Sequence, residues 1–213
     1  MPDKNNDNHK MKHFVFQEYM EKLIIIVPYI YFIYHNSESI FIIMNPISIL
    51  YLFEMILELF FTLLRFPGKM SHNTTDWILA ILGTYAAQIV STHASNTHLA
   101  SITFCFILSF IGILVSFSAK ICLGRSFAIV AAVRVVKTYG PYRIIRHPMY
   151  AGYMLTSFGF LLYNFSLWNI CTIFSAWFVQ ILRIQAEEKI LSTDPQWSLW
   201  SKHVRWKLLP FIY

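Results

Sequence analysis

Residues 140–153 read GPYRIIRHPMYAGY, with Arg143, Arg146 and His147 gathered inside five positions directly ahead of Pro148. Proline suits the first turn of a helix, because its missing N–H is unneeded there and its φ is already helical. The pattern therefore predicts a helix that starts at Pro148 with His147 at its cap. From Tyr150 to Tyr163 the chain carries no charge, and after the short Asn164 to Leu167 link a second apolar stretch runs from Trp168 to Ile184. Two such stretches so briefly joined predict a helical hairpin whose open end carries the cations. The first arm is about 21 Å of helix, short of a hydrocarbon core of roughly 30 Å.

Outward from this hairpin the chain stays apolar. Its 213 residues are 56% hydrophobic and 13% charged, against about 25% charged in soluble proteins. That composition is of an integral membrane protein with one membrane domain and little room for a soluble one. Apolar stretches also run from Leu23 to Tyr34, Ile40 to Phe66, Trp77 to Ser91 and Ala100 to Phe117. All are expected to be helical, since lipid forces the backbone to bond within itself. The expected class is an all-α, polytopic protein: six spans if the short, Pro28-containing first stretch crosses, five if it only dips in. A kink is expected at Asn45-Pro46.

The formal charge is +6. Lys120, Arg125, Arg134, Lys137, Arg143 and Arg146 form one connection without an acid, whereas the links HNSES, THASNTHLA and NFSLW hold only Glu38. By the positive-inside rule the cationic links, both termini and the open end of the hairpin face the cytoplasm. That rule accounts for most of the six cations without invoking function. Residues 1–117 are expected to supply N-terminal spans and 118–213 a C-terminal core, in the inner membrane of a bacterium or the endoplasmic reticulum of a eukaryote. The opening MPDKNNDNHKMKHFVFQEYMEK is polar for too long to be a secretory signal. Cys105, Cys122 and Cys171 are isolated and read as small core residues, and His72, His93 and His98 lack metal spacing, so no metal is expected. No nucleic-acid partner is expected, and the lack of a Gly-rich loop after a strand excludes a soluble dinucleotide-binding fold.

Two constellations carry chemistry. Arg146 ahead of a helix start makes a receptor for a carboxylate or phosphate. In RIQAEEKIL, residues 183–191, Arg183 and Glu187 share one helical face with the cation first. That order is the weaker one for a helix-supporting pair; a solvated helix end is the plainer reading. Together these groups suit a ligand of both charge signs beside a lipophilic co-substrate. Glu54 and Glu58, one turn apart in an apolar helix, require protonation or pairing, with Arg65 or the cationic connection as partners.

GPYRIIRHPMYAGYML, followed about thirty residues later by RIQAEEKIL and a tail ending LLPFIY, resembles the isoprenylcysteine carboxyl methyltransferases and the related phospholipid N-methyltransferases, the bacterial membrane members above all. The resemblance covers roughly Leu123 to Tyr213. It implies methyl transfer from S-adenosylmethionine to a lipophilic acceptor, with membrane lipid as the surroundings and the carboxyl O-methyl type favoured. It implies cofactor contacts at Arg134, Val135, Val136, Lys137, Tyr142, His147, Pro148, Met149, Tyr150 and Glu187, and catalytic roles for Arg146 in the cofactor motif and Arg183 on the acceptor side. Arg134 and Phe127 depart from the eukaryotic pattern, which has a histidine and a polar contact there, and Trp197, Trp200 and Trp206 stand near family tyrosines and read as an interfacial belt. A prenylcysteine, a phospholipid amine and another lipophilic carboxylate or thiol all remain open as acceptors. Two other classes remain: an NADPH-dependent reductase of the sterol reductase type, which requires cations for a 2′-phosphate, and a non-enzymatic membrane component, which internal repeats would suggest.

Overall fold

The computed structural model describes residues 16, 19–20, 23, 26–64, 73–92, 97–124 and 137–213. Among these the chain is helical, with no strand: α1 (residues 26–35), a π-helical turn Glu38–Ile42, α2 (Pro46–Leu64), α3 (Thr74–Gln88), α4 (Ile102–Leu123), a 3-10 turn Gly140–Arg143, α5 (Pro148–Tyr163), α6 (Leu167–Leu191) and α7 (Pro195–His203). Side-chain caps start five of them, α2 included. Asn73 accepts from Thr75 N–H at α3, Ser101 from Phe104 N–H at α4, Ser166 from Asn169 N–H at α6 and Asp194 from Gln196 N–H at α7. These polar groups satisfy N–H donors that a helix start otherwise leaves open.

The expected kink at Asn45-Pro46 is a complete break. The π turn ends, Met44 takes a left-handed φ of 52°, and a new helix begins with Pro46, whose first turn Asn45 Oδ1 caps through Ile47 N–H at 3.0 Å. The hairpin is present: α5 starts at Pro148 as expected, and α6 runs on to Leu191, so Arg183, Glu187 and Glu188 sit on one continuous helix. Lys120 corrects the reading of the cationic connection, because it lies inside the last turn of α4 and is fully buried. Cys171 is exposed rather than in the core.

α4 and α5 lie almost backbone to backbone. A Cβ on Gly112 would stand 2.6 Å from Thr156 N, and one on Gly152 would stand 2.6 Å from Ser116 N. Ser109 Oγ donates to Thr156 O across the same seam at 3.2 Å. Small residues that let helices approach this closely are the usual means of helix association in lipid. The opposite face of α4 exposes Phe104, Ile107, Ile111 and Leu114, a stripe suited to acyl chains. α3 pairs with α6, where Gly83 makes room for Arg183: a Cβ there would meet Arg183 Cδ at 3.1 Å. α2 rests on α4 and α5, its Tyr51 ring 5.1 Å from Phe160 and 5.3 Å from Phe32 of α1. Among the described residues two helices, Ile102–Leu123 and Leu167–Leu191, are long and apolar enough to cross a membrane.

The end of the hairpin away from the charged segments is closed by polar bonds. Asn169 Oδ1 accepts from Ser91 N–H at 2.9 Å and its amide donates to Ser91 O, while Asn36 holds Thr92 through N–H and hydroxyl contacts at 3.0 and 2.9 Å. The Leu99 amide reaches Leu162 O at 2.8 Å. His98 stacks on Tyr163 and hydrogen-bonds its carbonyl.

Candidate active site

His147 occupies the N-cap of α5, and no side chain caps that turn. Its ring instead lies between two acids of α6, Nε2 at 3.2 Å from Glu188 Oε1 and Nδ1 at 3.9 Å from Glu187 Oε2. One helical step further into α5, the Tyr150 hydroxyl donates to Glu187. The Arg183 guanidinium, one turn before Glu187, stands 5.4 Å over the Tyr150 ring and donates to Gln180 Oε1 at 3.3 Å. Tyr142 is buried nearby in the 3-10 turn; burial first, then the charge of Glu187, pushes its phenol above the ordinary range. A carboxylate, two phenols, an imidazole and a guanidinium thus converge where α5 begins.

Arg146 faces the other way. Its Nε donates to Val204 O at 2.6 Å, Nη2 to Ser201 O at 2.7 Å and Nη1 to Glu188 Oε1 at 3.1 Å. Trp197 lies 5.7 Å beneath the guanidinium, buried, so it packs on this cation rather than in an interfacial belt. The neighbouring backbone joins in: Arg146 N–H bonds Trp206 O and His147 N–H bonds Lys207 O, both at 2.8 Å. Lys207 Nζ completes the set at 3.0 Å from Glu188 Oε2. Partial burial alone would lower the Lys207 ammonium; its hydrogen bond and attraction to Glu188, with Tyr213 adding, hold it above the usual lysine range. Glu188 therefore gathers Arg146, His147 and Lys207 into a clasp that fastens the tail to the start of α5.

Inward along α6 from Arg183 lies a pocket of about 60 Å³ between α2, α3, α5 and α6. Glu54 and Glu58 supply its acidic wall, and Tyr153, Trp177, Gln180 and Arg183 face them. Glu54 accepts from Ser116 Oγ at 2.9 Å. Behind Tyr153, the Lys120 Nζ sits 4.8 Å from the ring centroid, fully buried, and among the described residues neither it nor the Tyr153 hydroxyl has a hydrogen-bond partner. Lys120 is thus the cation of the connection that accompanies the two α2 acids; Arg65, the other expected partner, lies outside the described residues.

Residues 98–193 match the phospholipid methyltransferase family. No curated protein matches the chain. The phospholipid methyltransferase match takes in α4, α5 and α6, and with them Tyr142, Arg146, His147, Tyr150, Arg183, Glu187 and Glu188. The family suggests a membrane methyltransferase and a lipid acceptor, and the two apolar helices fit a membrane setting. The reductase alternative finds no support in it. Outside the match lie α2 with Glu54 and Glu58, Gly83, and Lys207.

Of the expected contacts, Tyr142, His147, Tyr150, Arg183 and Glu187 come together; Pro148 and Met149 form the buried first turn of α5 beside them. Lys137 is half-buried at the edge of the described segment, while Arg134, Val135 and Val136 lie outside the described residues, as does Phe127. Sequence reasoning missed Glu188 as the hub of the clasp, although it follows Glu187 directly. Gly83 carried no signal in the sequence beyond being a glycine in an apolar run. Among the described residues no group of three or more His, Cys, Asp or Glu side chains could hold a metal ion.

Proposed function

We propose that this protein transfers a methyl group from S-adenosylmethionine to the amine head group of a membrane lipid. Supporting this above all is the position of Arg183, which borders the polar cluster at the start of α5 and the pocket at once. On one side its guanidinium covers Tyr150, the partner of Glu187; on the other it lines the pocket with Glu54 and Glu58. A polar donor and a lipid acceptor that both border this side chain would meet at its edge, where they can approach each other directly.

The polar compartment suits the donor by chemistry. Glu187 offers a carboxylate, partly exposed, for an ammonium or for ribose hydroxyls, and the α5 start, uncapped by any side chain, offers N–H groups to a carboxylate. Tyr142, His147, Pro148, Met149, Tyr150 and Lys137 would wall it, with Arg134, Val135 and Val136 kept as further contacts. Arg146, with its donors directed at Glu188, Ser201 and Val204, is reassigned from ligand contact to positioning residue. When bound, the sulfonium donor supplies the methyl group. The chain's own task is alignment, since methyl transfer needs the nucleophile in line at about 3 to 3.5 Å.

The acceptor side favours an amine over the carboxylate preferred from sequence. Two carboxylates line the pocket with one guanidinium, already engaged by Gln180; Lys120, the other cation, stands behind Tyr153 and does not line it. A third carboxylate would enter against repulsion, whereas an ammonium is attracted. The pocket volume is several times the roughly 10 to 15 Å³ that a water requires, so a small head group fits and its acyl chains would remain in lipid. We further assign the site to the cytoplasmic face of a protein with five or six crossings, on the charge asymmetry of its links. The working core extends beyond 118–213 to the whole of α4, whose glycine seam with α5 is continuous.

The test is made on detergent-purified protein. Calorimetry is expected to detect S-adenosylmethionine and not NADPH, and labelled methyl groups are expected to reach an ethanolamine-headed phospholipid in preference to a prenylated cysteine carboxylate. NADPH binding without sulfonium binding would overturn the reaction class; transfer to the carboxylate alone would overturn the acceptor.

A further inference from the structure

We propose that Glu58, on α2 and outside the family-matched residues, accepts the proton that the lipid amine must lose before it can be methylated. The inference rests on the amine reading above and adds a catalytic residue to it. An ammonium has no lone pair, so attack on a sulfonium methyl requires prior deprotonation, and a carboxylate within reach of the nitrogen is the group that can take that proton.

Glu58 is the better placed of the two acids. Glu54 is buried and turned toward α4, where Ser116 Oγ donates to it. Glu58 is only half-buried, lines the pocket, and sits one helical turn, about 6 Å, further along α2 toward the charged end of the hairpin. Its charge is felt by Arg183 and by Tyr150, the hydroxyl that donates to Glu187. Glu58 therefore stands on the lipid side of the Arg183 partition, at the level where the donor cluster begins.

Its surroundings can hold the carboxylate and receive the proton. Facing it are Tyr29 from α1, Tyr51 and Glu54 from α2, Lys120 from α4, Tyr153 beside Tyr150 from α5, and Arg183 from α6; Gly83 of α3 brings no titratable group. Two of these, Lys120 Nζ and Tyr153 Oη, are buried polar atoms with no hydrogen-bond partner among the described residues. Buried polar atoms without partners are costly in such a setting, and an ammonium between Glu58 and Tyr153 would donate to the phenol oxygen as well as to the carboxylate.

In the step, the N–H bond of the ammonium breaks and its proton bonds to a Glu58 oxygen. The freed nitrogen pair forms the N–C bond to the methyl carbon as the C–S bond breaks, and the electrons of that bond stay on sulfur. The sulfonium donor leaves as a neutral thioether, the product is an N-methylammonium, and Glu58 is left as the neutral acid.

Glu58→Gln and Glu58→Asp are compared with the wild type in the full chain, by donor calorimetry and by methyl transfer between pH 6 and 9. The acceptors are an ethanolamine-headed phospholipid and its 2,2-difluoroethylamine analogue, whose far less basic amine is neutral in large part within this pH range without help from a base. Glu58→Gln is expected to bind the donor within about threefold of the wild type, which also reports its folding, yet to methylate the ethanolamine lipid on the order of 100-fold more slowly. Its residual rate should climb with pH as solvent takes over deprotonation, and on the difluoro lipid it should come within about tenfold of the wild type. Glu58→Asp should retain part of the activity. Ethanolamine turnover within about threefold of the wild type in Glu58→Gln, or an equal loss on both lipids, overturns the assignment while leaving the amine reading intact. Failure of the wild type on both amines overturns the amine reading, and this inference with it.

Discussion

Glu187 and Glu188 are consecutive on α6, so helix geometry turns them about 100° apart, and they serve different neighbours. Glu187 takes the Tyr150 hydroxyl, and Glu188 takes Arg146, His147 and Lys207. Their substitutions should separate accordingly. Glu187→Gln is expected to weaken donor binding by about 1 to 3 kcal/mol, the range for a hydrogen bond to a charged group, with the melting temperature nearly unchanged; calorimetry and a thermal scan read the two effects. Arg146→Ala is expected to release the tail first, seen as faster proteolytic cleavage after residue 204, and to lose donor affinity only as a consequence. Arg183→Lys keeps the charge but not the planar two-pronged geometry. It should lower turnover several-fold while donor affinity, measured without lipid, stays close to that of the wild type. The sequence made the α5 start and the Arg183–Glu187 face legible, because proline position and a four-residue spacing are local signals. It could not reveal that Arg146 is satisfied by the tail, since Val204 and Ser201 contribute only carbonyl oxygens, which every residue has.

Helix pairs set the geometry that these side chains inherit. The α4–α5 seam tolerates no side chain at Gly112 or Gly152, where a Cβ would fall 2.6 Å from backbone nitrogen. Gly152→Leu is expected to force the helices apart at a cost of at least about 1 to 3 kcal/mol, read as a lower detergent melting temperature and loss of the Glu54–Ser116 contact. Gly83→Ala is a milder probe of the other pair. Its methyl would press on the Arg183 side chain, so turnover should fall more than stability. Apolar runs located these helices in the sequence, yet the run from Ile40 to Phe66 concealed a π turn and a fresh start at Pro46, because hydropathy is blind to backbone handedness such as that of Met44. Lys120 was misplaced for a similar reason: a cation near the end of an apolar run reads as a link, and only packing against Tyr153 puts it inside.

At the scale of the whole molecule, one end is pinned by neutral polar bonds through Asn36 and Asn169, and the other is charged. Cysteines placed at Thr97 and at Lys137 should therefore label from opposite faces of the membrane, Lys137 from the cytoplasm; labelling of both from one face would break the topology. The charge asymmetry was fully legible in the sequence, whereas the convergence of α2 upon α5 and α6 was not, since Arg183 lies more than a hundred residues from Glu54 and Glu58 and shares no motif with them. The proposed position of Arg183 between a donor and a lipid has a thermodynamic consequence. A side chain that forms a wall for both occupants cannot adjust to one without altering the other, so the two bindings are coupled. Reciprocity then requires that whatever factor the lipid imposes on donor affinity, the donor imposes on lipid affinity.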